Sequence, residues 1–322
     1  MSSKKSKKKD KGRTKAKAKA KQAEKADARE PDLPLPHALG PVFVNPPTDR
    51  PLPWLSKPTD VQSVIQQVDD IVDWSVEIPN GIGYFATMQK RIAIAVELAI
   101  ERGEFDDADR MRKLTLIFVG RYFDALNAYF HPEPYQRPTK VWQWAFDGVS
   151  YDEPIIVQHL LTGICAHIMH DLGIAAARVG GDALPDLEHD FDYVNVILAS
   201  QVTPVLEALT ELSPVLGLLL STVAVDSIVA DWIVKFRDLA WAWAGLLVEK
   251  PDQLRDLADI QDAWASVMSV FFLNPTIGPM PSVVRCIARS ESRDIARNVR
   301  RFDDAAQIPA AVNPVFVQAL MR

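Results

Sequence analysis

The segment Gln158–Leu172 reads QHLLTGICAHIMHDL, an apolar run that nonetheless carries His159, His167, His170 and Asp171, including half of the six histidines in the chain. His167 and Asp171 are four residues apart, which on a helix stacks an imidazole and a carboxylate on adjacent turns. That is the geometry of a chelating pair, each donor reaching one ion at about 2.0–2.2 Å. It is equally the geometry of a plain His–Asp hydrogen bond. His159 lies roughly 12 Å from His167 along a helix axis, at about 1.5 Å per residue, so it belongs at the rim of such a site. At about 100° per residue, His159, Gly163, Ala166, His167 and His170 share one side, and the small residues among them leave room for another helix or a ligand.

A second polar cluster, Glu188-His189-Asp190-Phe191-Asp192-Tyr193-Val194-Asn195, stands where the next helix should start. An acidic residue there is favoured by capping and by the helix dipole, which gives Asp190 a structural reading. The loop of about ten residues between the helices also lets Asp190 and Asn195 fold back onto the His167 face. In that arrangement His167, Asp171 and Asp190 are metal ligands and His159, His170 and Asn195 the catalytic candidates, the histidines as proton carriers. Nitrogen and oxygen donors favour Zn, Fe or Mn over calcium, and the chemistry would be water activation or oxygen chemistry. Buried His and Asp cost several kcal/mol unless paired. Three readings therefore stay open. One is a metal-dependent enzyme, one a site that binds a small molecule without turnover, and one a structural hydrogen-bond network in a non-catalytic interaction or scaffold protein.

Other templates are missing. No Gly-rich phosphate loop follows a strand, and neither G-x-S-x-G nor H-E-x-x-H occurs. The two cysteines, Cys165 and Cys286, are too few for a disulfide framework or a thiolate zinc site, and fit a reducing, cytoplasmic setting. Residues 1–30 hold 13 Lys and Arg against 4 Asp and Glu, so with a whole-chain charge of −6 the remainder carries −15. Such a body repels a phosphate backbone, leaving weak, non-specific, salt-sensitive polyanion contact through the tail as the expected nucleic-acid interaction.

The elements that must position these residues are helices. Residues 1–30 are low-complexity and nearly devoid of large apolar side chains, and read as a disordered basic tail. Residues 31–58 contain nine prolines and read as an extended strap packing across the domain, through Trp54 and Leu55 among others. From Thr59, a candidate cap, Val61, Val64, Ile65, Val68, Ile71 and Val72 recur at helical spacing. Further helices are expected over about 84–102, 105–130, 154–179, 191–209, 215–248 and 251–272, with turns at Asn80–Gly83 and Gly180-Gly181. A helical core thus occupies 59–275. Residues 276–322 read as a separate C-terminal feature, one amphipathic helix striped by Arg285, Arg289, Arg293, Arg297 and Arg300. Val42–Val44 is the one local strand signal. The most apolar stretch, around Ser213–Val225, is too short for a membrane span. Most of the tryptophans, Trp142, Trp144, Trp232, Trp241, Trp243 and Trp264 among them, are expected in the core. The fold class is all-α, a multi-helix orthogonal or antiparallel bundle.

The spacing His159…Ala166-His167-Ile168…Asp171-Leu172, followed by Asp190-Phe191 and Val194-Asn195, resembles a bacterial family of uncharacterised helical proteins, a domain of unknown function. Weaker echoes are Gly83-Tyr84-Phe85, Tyr122-Phe123-Asp124-Ala125, and Arg237-Asp238 with Ala240-Trp241. The resemblance spans roughly 61–247. It implies the fold and marks the His/Asp region as the site, but it implies no activity. The chain departs from the pattern at Cys165, where the family is expected to carry Asn.

Overall fold

Helix α1 (Val61–Glu77) buries Val61, Val64, Val68, Ile71 and Val72, the apolar face expected from their spacing. Its cap is Asp60 rather than Thr59. Ser63 N donates to the Asp60 carboxylate at 2.7 Å and Asp60 N donates to Ser63 Oγ at 3.1 Å. The Thr59 hydroxyl turns aside to donate to that same carboxylate. A reciprocal box satisfies two helix-end donors where a lone threonine would satisfy one.

The computed structural model describes residues 49–132, 137–148, 154–221 and 225–321. The basic tail expected at 1–30, the strap as far as residue 48 and the Val42–Val44 strand signal lie outside the described residues. Those that are described belong to a single unit, Leu35–Arg322. No strand occurs among them, and the fold is an all-α bundle. Residues 49–58 are non-helical and pack as a strap: Leu52 and Leu55 are buried, and the Asn127 amide accepts from Leu55 N at 2.9 Å and donates to Leu55 O at 2.8 Å. Trp54 is exposed, resting on the His131 ring.

Helices α2 (Ile82–Glu101), α3 (Ala108–Phe130) and α4 (Lys140–Asp147) follow. Ile82 and Gly83 lie inside α2, so the expected turn ends at Gly81. The central element begins as α5 (Ile156–Ile164), widens into a π-helix over Cys165–Leu172, and returns to α geometry as α6 (Gly173–Gly180). Gly181 ends it with φ 49°, a conformation that favours glycine. The expected loop to Glu188 is a run of 3-10 turns, Gly181–Leu187, leading into α7 (Glu188–Leu212). The single helix expected over 215–248 is divided into α8 (Pro214–Leu220) and α9 (Val225–Glu249); α10 (Leu254–Leu273) comes next. The π segment packs against α3, α4, α9 and α10, which encloses it.

The apolar run Ile156–Leu212 is long and apolar enough to cross a membrane by composition alone. Yet most of its apolar stretch is buried inside the protein, as in a core helix.

The arginine stripe is interrupted. It divides into α11 (Met280–Ser290) and α12 (Ile295–Ala306) because acidic residues between them serve as caps. Glu291 turns inward to accept Ile156 N at 2.8 Å at the start of α5, and Asp294 accepts Arg297 N at 3.0 Å. The apolar side of α12 does dock, burying Val299 and Phe302 against α1, α2 and α7. Buried Lys90 fastens it by reaching Asp69 at 2.5 Å and Asp303 at 2.9 Å. A last short helix, α13 (Pro314–Leu320), lies on α7. Among the named tryptophans Trp142 is fully buried, whereas Trp232 and Trp264 are exposed.

Candidate functional site

The π segment sets the geometry of the polar cluster. Hydrogen bonding from i to i+5 widens the turn, a local distortion frequent at functional sites. Gln261 Nε2 on α10 donates to Met169 O at 2.7 Å, holding one of its carbonyls. His167, His170 and Asp171 are each buried to within 2% of complete enclosure.

Asp171 is the hub. Arg121 Nε on α3 donates to Oδ1 at 2.7 Å, and Trp142 Nε1 on α4 donates to Oδ2 at 2.9 Å. His167 Nδ1 stands 3.6 Å from Oδ2 and His170 Nε2 stands 3.9 Å from Oδ1. Burial alone would raise the Asp171 carboxyl, but the Arg121 guanidinium, with the two imidazoles, holds it well below the usual carboxylate range. His167 is boxed by aromatic rings. Phe118 stacks on it with centroids 3.6 Å apart, and Phe85 meets it edge-on. At 3.6 Å from Asp171 it is within ion-pair reach but outside a hydrogen bond, and neither ring nitrogen has a hydrogen-bond partner. Burial lowers its pKa, as it does that of His170.

His167 also lines an apolar cavity of about 70 Å³ between α2, α3, the π segment and α7, walled by Phe85, Met88, Met111 and Phe118. One charged side chain, Arg237 from α9, joins that wall.

The other expected site residues lie elsewhere. Asp190 is not brought to His167 and Asp171; its carboxylate accepts Asp106 N at 2.7 Å and Asp107 N at 2.9 Å, bracing the start of α3. Nor does it cap its own helix, whose N-cap position is Leu187; its carboxylate serves the start of α3 instead. Asn195 is buried on α7 with Oδ1 unpartnered and is not part of the cavity wall. His159 stacks on Tyr84 beside a second, very small cavity shared with Tyr122 and Trp142. Burial pushes its pKa down to about 4. Asp124 is exposed.

The donor set at His167 and Asp171 does not fit a cation. Both carboxylate oxygens already accept hydrogen bonds, one from a guanidinium whose charge would oppose an ion, and Asp190 supplies no third ligand. Among the described residues, three ligand-type groups converge at Asp106, His189 and Asp190 instead. There two members are exposed, and His189 Nδ1 already pairs with Asp106 at 3.0 Å.

Trp142 is the core residue its type suggests, but its bond to Asp171, like the roles of Arg121 and Phe118, carries no local signal in the chain. The echo noticed on α3 began one residue too late, at Tyr122. Nothing in the spacing of an arginine among aromatics marks it as the partner of an aspartate 50 positions away.

These features define an all-α protein built around a buried His–Asp–Arg cluster on a π-widened helix. The chain belongs to a family of unknown function (DUF5995), whose model matches residues 61–275. That match extends past the region of the initial resemblance to include α10, which packs on the π segment. A search of curated proteins and of solved structures finds no match. Cys165, where the family pattern is expected to have Asn, is fully buried, and burial pushes its thiol up to about 12.

The three lowered histidine pKa values fix the sign of an acid response. An unfolded histidine titrates near 6.5 while these titrate lower when folded, so between those values the unfolded chain binds more protons. Stability is then full above about pH 6.5 and declines as pH falls toward about 4. Asp171, depressed when folded, adds its loss only below the usual carboxylate range. Denaturant midpoints measured from pH 7.5 to 4.5 should fall steadily; midpoints that stay level between pH 7 and 5 would contradict enclosed neutral imidazoles.

Proposed function

We propose that the protein binds a small, largely apolar molecule in the cavity beside the π segment, and that His167 exchanges a proton with it. The observation that supports this reading is His167 itself: enclosed, kept neutral by burial, lacking a hydrogen-bond partner on either nitrogen, and part of the cavity wall. A neutral imidazole with a carboxylate behind it and an apolar chamber before it is the arrangement of a general base. Asp171, 3.6 Å from Nδ1, stabilises by its charge the imidazolium that forms, and Arg121 and Trp142 keep Asp171 ionised and fixed. The chamber is about half the roughly 150 Å³ that takes up benzene in an engineered apolar cavity, which limits the apolar part of an occupant to about three heavy atoms. The flexible Met88 and Met111 provide some give. The metal-dependent version of the site finds less support, for the reasons of donor set given above.

The alternative, a structural network in a non-catalytic scaffold, is favoured by one observation: Asp171 accepts good hydrogen bonds from two neighbouring helices. The two readings part on whether the cavity takes a guest. Methyl-labelled methionine spectra recorded under xenon should shift Met88 and Met111, leaving Met280 and Met321 in place. The His167 ring signals should move with them. No movement of the two cavity methyls at saturating xenon would remove the basis of the ligand reading and leave the scaffold.

A further inference from the structure

The charged member of the cavity wall sets the chemistry of the guest. Arg237 is only 3% exposed. It donates through Nη2 to Phe191 O at 2.6 Å and its guanidinium carbon lies 4.2 Å over the Phe191 ring. Its Nε is buried with no partner. Among the described residues no carboxylate comes within 4.0 Å of it; Asp192 and Asp238 act only through space. Two other enclosed cations have counter-charges: Lys90 holds two carboxylates and Arg121 holds Asp171. Arg91, equally enclosed, is satisfied by two neutral acceptors, donating through Nε to Gln201 Oε1 and through Nη1 to Ala305 O. A buried guanidinium costs several kcal/mol unless a partner neutralises it, and one carbonyl and one ring face carry no net charge. Arg237 is also the charged residue lining the apolar chamber.

We infer that the guest is a short-chain carboxylate, its head group held by Arg237 and its apolar tail lying among Phe85, Met88, Met111 and Phe118. The inference rests on the proposed function, since it presupposes that the cavity takes a ligand. A guanidinium fork matches a carboxylate with two parallel hydrogen bonds. A phosphate dianion would need further donors, and the wall offers only the neutral Gln89, Thr115 and His167 besides. Thr115 already donates its hydroxyl proton to Met111 O. Half of a benzene-holding volume leaves room for about three carbons, so the tail is at most a propyl group, with the carboxylate seated at the Arg237 side of the wall.

The test compares two molecules of equal length, butyrate and 1-butanol, titrated into the full chain while the Met88 and Met111 methyls are followed. A charged carboxylate loses far more hydration than a hydroxyl on entering an apolar chamber, so without an anchor butanol binds more tightly. With Arg237 as the anchor, butyrate should bind at least tenfold more tightly than butanol, and Arg237→Gln should reverse that order. Butanol equal to or better than butyrate on the unmodified protein overturns the inference without needing any variant to fold. A butyrate preference that persists in Arg237→Gln also overturns it. The outcomes separate the two proposals. Xenon that binds without a butyrate preference sinks the carboxylate alone, whereas an unresponsive cavity sinks the ligand reading and this inference together.

Discussion

Asp171→Ala is expected to destabilise the protein by about 3–5 kcal/mol, the range for removing one partner of a buried ion pair. The loss is not the worth of the salt bridge. It comes from what stays behind: an Arg121 guanidinium 15% exposed with no counter-charge, and an enclosed Trp142 N–H with no acceptor. Asp171→Asn keeps an acceptor for one donor but loses the charge, so it should cost less, about 1.5–3 kcal/mol. Replacing both partners, with Asp171→Leu and Arg121→Met, should recover much of the loss, because similar-sized apolar residues remove both desolvation costs. Denaturant melts of the four proteins decide the matter, provided their slopes agree. If Asp171→Ala melts within 1 kcal/mol of the parent, the carboxylate is not a structural keystone, and the result favours chemistry at the neighbouring imidazole.

How much of this arrangement could be read from the chain depends on the range of the interaction concerned. The α1 face was legible because a 3.6-residue period is written in adjacent positions, from Val61 to Val72. His167 and Asp171 were legible as neighbours for the same reason, although the π turn that joins them was not: no residue type encodes an i to i+5 bond. Asp190 was misplaced because a carboxylate at a helix start satisfies any backbone donors within reach, and the nearer ones belonged to Asp106 and Asp107, just ahead of another helix. The arginine stripe looked continuous because its spacing runs through Arg293. The break depends on Glu291 finding Ile156 N, 135 positions away. Arg237 was seen only as part of a motif; that it is enclosed without a carboxylate is a property of the packed helices alone.

Gly163→Ala should be the most damaging of the small substitutions near the site. A Cβ at Gly163 would lie 2.2 Å from Phe85 Cδ2 and 2.5 Å from Cγ, closer than real Cβ atoms approach anything. The ring cannot simply swing away. It is wedged edge-on against Tyr122, Trp142 and His167, with centroids 5.4–5.9 Å apart. Helix propensity works in the opposite direction, since alanine in a helix interior is favoured over glycine by about 1 kcal/mol. Overpacking a filled core costs about 1–3 kcal/mol and sometimes more, so the clash should win and the melting temperature should fall. Gly245 on α9 supplies the control, because a Cβ there meets nothing within 4 Å. Gly245→Ala should raise stability by about 0.4–1 kcal/mol through the unfolded state. Phe85 also lines the cavity, so Gly163→Ala should displace the Met88 methyl signal before any ligand is added, while Gly245→Ala leaves it in place. Thermal melts in which the two alanine variants shift in the same direction would show that Phe85 has room to move. The close approach of α2 and α5 at Gly163 would then not be what shapes the chamber.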